Sequence, residues 1–151
     1  MSATKSFPFR SMLSGACFAA GWALFIDRVA VASMHADADV HPNFIAWIPG
    51  IACTVAFALI ALTKASDFAT REPHEVGTQA ATLAIGWALT FAASCMSLML
   101  LMLRYGPNHH RELSSLGAGI VLQTCFIAFA SVLTWARETA DGSTFDSVPR
   151  L

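Results

Sequence analysis

The chain has 151 residues, 56% hydrophobic and 13% charged, with a formal net charge of −1. A soluble domain of this length carries about twice that charge, and a near-neutral chain without a basic run offers nucleic acid no electrostatic footprint. Four apolar stretches remain to be explained, each about 20 residues or slightly longer, enough as a helix to cross a hydrocarbon core of about 30 Å.

The first stretch runs from Ser11 to Ala32. Lys5 and Arg10 precede it, and Ala30-Val31-Ala32 has the small-residue pattern of a signal-peptide cleavage site. The run is long for a signal-peptide core, however, and Asp27-Arg28 sits just before the site, so it reads as a retained span. Gly15, Ala19 and Ala23 recur every fourth residue and lead to Asp27. Small residues let helices approach in lipid, so this face is expected to point into the bundle and take Asp27 with it. Arg104, at the same membrane level, is then the expected ionic partner, while Arg28 snorkels to the headgroups. A bundle-locking ion pair is the plainer reading of Asp27. A proton or ion pathway is the sharper one, and no second carboxylate within another span supports it.

The loop that follows carries His35, Asp37, Asp39 and His41 at alternating positions, with His109-His110 expected on the same membrane face. Imidazoles and carboxylates together suit a divalent metal, and histidines suit a pH switch. Loop solubility accounts for the same residues without either, so no metal is assigned.

The second stretch, Phe44 to Thr63, opens with Trp47 and Pro49; proline costs least in a first helical turn, whose amides lack intrahelical acceptors. Gly50, Thr54 and Ala58 form its small-residue row. A connection of mixed charge, Lys64 to Gln79, leads to the third stretch, Ala80 to Leu103, with Thr82, Gly86 and Thr90 in a row and Ser94 and Ser97 nearby. Gly86-Trp87-Ala88-Leu89 repeats Gly21-Trp22-Ala23-Leu24, an echo that coincidence in an alanine-rich chain explains. The fourth stretch, Leu116 to Trp135, contains Gly117, Gly119 and Thr124. Its Gln123 is a strongly polar side chain at mid-membrane depth, where an interhelical hydrogen bond is expected. The four cysteines fall one per span and outside any CxxC, which reads as packing rather than as a disulfide or zinc framework.

These spans predict an all-α fold: a single membrane domain over residues 1–151, built as a four-helix transmembrane bundle. Lys5, Arg10, Lys64, Arg71, Arg137 and Arg150 fall on one side, against Arg104 and Arg111 on the other, which places both termini in the cytoplasm. No hydrolase, metalloprotease, nucleotide-binding or dinucleotide-binding motif occurs, so neither catalysis nor a cofactor is expected.

Gly21-Trp22 followed by Ile26-Asp27 resembles the G-W-x-x-x-I-D signature of the transmembrane protein 50 family, which includes the fungal vacuolar protein sorting 68 proteins. Pro49-Gly50-Ile51-Ala52, Ala56-Phe57, Gln123 and Trp135-Ala136-Arg137-Glu138 extend the likeness over nearly the whole chain. Ala23 and Leu24 depart from it, standing where bulkier aromatics are usual, and so does the uncharged start of the third span, Thr78 to Leu83. The resemblance implies a non-enzymatic endomembrane protein acting in traffic from late endosome to vacuole or lysosome. Its implied partner is a second small four-span protein, of the vacuolar protein sorting 55 and leptin-receptor-overlapping-transcript type. Gly21, Trp22 and Asp27 carry over as fold or partner determinants. Two rivals stand beside this reading: a small transporter or channel subunit using Asp27, and a structural subunit of an organellar membrane complex.

Overall fold

A computed structural model of the chain describes residues 9–34, 44–63, 73–105 and 111–145, and the side chains of 11–34, 44–63, 77–105 and 114–136. Helix α1 is Phe9–Met34; a 3-10 turn, Phe44–Trp47, leads into α2, Ile48–Leu62; α3 is Pro73–Leu103 and α4 is Arg111–Phe145. No strand occurs among the described residues. Each helix contains a segment long and apolar enough to cross a membrane: Ser11–Met34, Phe44–Leu62 (with the 3-10 turn), Gly77–Leu103 and Ser114–Ala136. The chain is an all-helical, multi-pass membrane protein.

Three helices outrun their expected spans, α1 by two residues at each end. α3 begins at Pro73 rather than at Ala80, and α4 continues past Trp135 to Phe145. Hydropathy marks only the part of a helix that lipid can surround, whereas backbone hydrogen bonding continues into water. Proline as the first residue of α3 and near the start of α2 costs little, because a first-turn amide has no intrahelical acceptor to lose. α2 stops at Leu62, where Thr63 turns extended; its amide and hydroxyl both return to the Ile60 carbonyl, at 3.3 and 2.9 Å.

Helix α4 is the hub. It packs closely against α1, α2 and α3, while α2 also packs against α3. The backbones of α1 and α2 stay further apart, and aromatic rings fill the seam. Phe18 stacks on Phe57 at 5.1 Å, and Trp47 meets Phe25 edge to face at 4.9 Å and Trp22 at 6.3 Å. Phe25, Leu116, Ile120 and Ile127 are the large apolar side chains at the centre. On α3, Gly86 lets the Ile60 side chain of α2 come so near that an added Cβ would lie 2.8 Å from its Cγ1.

Hydroxyls sew the helices together. Ser14 of α1 donates to the Ala130 carbonyl of α4 at 2.9 Å and lies 2.7 Å from the Thr134 hydroxyl. Ser97 of α3 and Thr124 of α4 are 3.0 Å apart, oxygen to oxygen. Each such bond across membrane helices contributes about 0.6 kcal/mol.

The face of α1 that meets α4 is not the expected one. Ser14, Cys17, Gly21, Phe25 and Ala32 are buried, while Gly15, Ala19, Ala23 and Asp27 face outward. Burying the first set packs a phenylalanine and satisfies a hydroxyl. Burying the second would draw Asp27 into the bundle, a cost that the observed rotation avoids.

Candidate functional site

The residues singled out from sequence divide into two places: a polar node within the spans, where α1, α2 and α4 meet, and a charged pair on the outside of α1.

The node gathers Gly21 and Trp22 from α1, Gly50 and Thr54 from α2, and Gln123 from α4. Trp22 donates its indole N–H to the Thr54 hydroxyl at 3.2 Å, and Thr54 in turn donates to the Gly50 carbonyl at 2.8 Å. Gly21 brings α1 onto α4: an added Cβ would lie 3.1 Å from both the Gln123 carbonyl oxygen and Phe126 Cβ. Gly50 receives the Gln123 side chain, whose amide nitrogen would be 2.5 Å from such a Cβ. Gln123 is 0% exposed, yet among the described residues neither Nε2 nor Oε1 has a hydrogen-bond partner. The expected interhelical hydrogen bond is therefore not made. The amide lies across the glycine backbone of α2, and the nearby polar pair, Trp22 and Thr54, has already closed on itself and on Gly50.

Asp27 is on the outer surface, not in the bundle. Its side chain is 62% exposed, and Arg28 Nε lies 3.7 Å from Oδ2, with the Arg28 side chain 44% exposed. The expected ion pair to Arg104 does not form: Arg104 is exposed at the end of α3, and α1 shares no substantial interface with α3. The helical turn explains this, since Asp27 follows the outward row of Ala19 and Ala23. The adjacent Tyr105 is buried, and burial pushes its phenol above the ordinary value of 10.0, with Arg104 pulling the other way.

The loop residues His35, Asp37, Asp39 and His41, together with His109 and His110, lie outside the described residues. Among the described residues no three His, Cys, Asp or Glu side chains come together as a metal group. Ser14 was missed from sequence, although its spacing of seven from Gly21 and eleven from Phe25 marks the contact edge of α1.

The family described as "Uncharacterised protein family (UPF0220)" matches residues 2–142. The chain belongs to this family. Neither the curated proteins nor the solved structures gave a match. Within this UPF0220 chain the matched region takes in all four spans, and so both the node and the charged pair.

Proposed function

We propose that the protein is a non-enzymatic integral membrane adaptor in endomembrane trafficking, serving protein sorting between late endosome and vacuole or lysosome. It acts by helix–helix association with a second small four-span membrane protein of the vacuolar protein sorting 55 type. The observation that carries this reading is the outward face of α1. Gly15, Ala16, Ala19 and Ala23 form a smooth strip that the chain's own helices leave uncovered, and Asp27 stands at its end. Small-residue faces support close helix packing in lipid, where bulk hydrophobicity provides no drive. The resemblance of Gly21-Trp22 and Ile26-Asp27 to the transmembrane protein 50 signature supplies the compartment and the class of partner. Transport through the bundle is less well supported, because Asp27 faces away from the interior.

The test is mass spectrometry of the tagged protein purified in mild detergent from its own cells. The adaptor reading expects a small four-span partner, lost when Ala19→Leu and Ala23→Leu roughen the strip while the monomer stays folded. Stoichiometric recovery of respiratory subunits, or of a homo-oligomer alone, would overturn it.

A further inference from the structure

We propose that Arg28, seated against Gly119, binds the phosphodiester group of a membrane phospholipid whose acyl chain lies along the exposed side of α4. This goes beyond the adaptor reading and does not depend on it.

Arg28 lies inside a membrane span, six residues before Met34, which is about 9 Å of helix rise. Charged groups at such depth need partners. Arg28 Nε has Asp27 Oδ2 at 3.7 Å, and among the described residues no other acceptor engages the guanidinium. The two terminal NH2 groups therefore remain to be satisfied. Four donors in a planar fork match the oxygens of a phosphodiester, and a long side chain can carry the fork to headgroup level.

The position of the arginine is built rather than incidental. Its stem crosses α4 at Gly119, where an added Cβ would lie 2.8 Å from Arg28 Cγ and 3.0 Å from Arg28 Cβ. Any other residue at 119 would push the stem away. Helical periodicity then fixes which way the arginine leans. Phe18, Trp22 and Val29 lie on the α2 side of the line along which α1 meets α4, and Arg28 lies on the opposite side of that line. By the same periodicity Ala118, Leu122, Cys125 and Phe129 of α4, all exposed and spaced four, three and four residues apart, fall on the side of Gly119 away from Gln123 and Ile127, which pack toward α2. This row forms an apolar lane headed by a cation. A guanidinium engages phosphate oxygens through paired N–H donors, and the lane beneath it suits one acyl chain. A cation at the head of an apolar row matches the order of headgroup and acyl chain in a phospholipid, so a lipid is the better fit.

Native mass spectrometry of the full chain in detergent tests the site, with phosphatidylglycerol and a diacylglycerol of the same chains as probes. Preferential retention of phosphatidylglycerol is expected, falling about 10-fold or more in Arg28→Gln, the loss of a charge-assisted contact. Equal retention of diacylglycerol, or undiminished retention in Arg28→Gln, overturns the proposal. So does displacement of the lipid by inorganic phosphate, which marks a site for free anions, or loss of a co-purifying protein with lipid retention unchanged. If Arg28→Gln does not elute as a single folded species, Asp27→Asn decides. Removing the competing carboxylate raises phosphatidylglycerol retention if the site is real, and no change rejects it.

Discussion

Replacing Gln123 by methionine is expected to stabilise the protein. The side chain is fully buried against Gly50 of α2, and among the described residues neither amide atom has a hydrogen-bond partner. In the unfolded chain, solvated by detergent and water, the amide recovers its hydrogen bonds. Burial without compensation costs about 1–3 kcal/mol by the mutational measure. Methionine has nearly the same length and volume, adapts its rotamers to irregular space, and gives up no bond, because none is made. Gln123→Met should therefore gain about 1–3 kcal/mol. Ser97→Ala serves as the contrast, since its hydroxyl does pair with Thr124, and it should lose about 0.6 kcal/mol. Both are read by reversible unfolding in mixed micelles with increasing sodium dodecyl sulfate, followed by far-ultraviolet circular dichroism. A loss of about 1 kcal/mol or more in Gln123→Met would refute the reasoning, because it would mean the amide has a partner in the folded protein.

Three further outcomes follow from the same geometry. Gly21→Leu should destabilise the α1–α4 contact by about 1–3 kcal/mol through overpacking, since a Cβ alone already meets α4 at 3.1 Å; the same unfolding titration reads it. Asp27→Asn should leave unfolding within about 0.5 kcal/mol of wild type, as expected for an exposed and loosely paired carboxylate; a larger loss would mean the pair with Arg28 holds α1 in place. Tyr105 is the only tyrosine, so its phenolate absorbance reports one site. Its folded pKa is raised above 10.0, which favours the neutral form in the fold. Its stabilising contribution is thus fully present below pH 10 and is lost as pH rises through the folded value, so the optical titration midpoint should exceed that of the unfolded chain.

Four spans are legible in the sequence because hydropathy over about 20 residues is a property of composition, and composition does not depend on neighbours. Gly50 on α2, Gly86, Thr90 and Ser97 on α3, and Gly117, Gly119 and Thr124 on α4 were also readable as contact residues and are buried; Thr54, Thr82 and Ser94 from the same rows are half-buried, and Ala58 is exposed. The rotation of α1 was not readable. Its two rows, one through Ser14, Cys17 and Gly21 and the other through Gly15, Ala19 and Ala23, both satisfy the small-residue rule, and the rule does not say which is covered. Deciding between them needs the partner helix. Ser14 needs Ala130 and Thr134 to accept and share its hydrogen, and Phe25 needs Trp47 to meet its face. Gln123 lies within the fourth span as expected, but its lack of a partner among the described residues goes with Thr54 bonding to Gly50, which a single sequence cannot show.

The uneven packing of the four helices bears on how the protein works. Half of the apolar segment of α4 is buried, against 17% of that of α1. α1 is thus the helix that gives most of its surface to the surroundings, and it is the one that carries Asp27, Arg28 and the alanine strip. A helix that depended on the bundle for stability could not expose so much without loss, except that lipid replaces helix contacts at little cost. What holds α1 is concentrated on one edge: the Ser14 hydroxyl, the close approach at Gly21, and the aromatic seam at Phe18, Trp22 and Phe25. That edge fixes the rotation of the helix, and the rotation fixes what it presents. A substitution at Gly21 would therefore disturb the outer face as well as the core, turning Asp27 and Arg28 out of register without touching either. An interior glycine would then look, in any assay of association, like a residue of the contact surface.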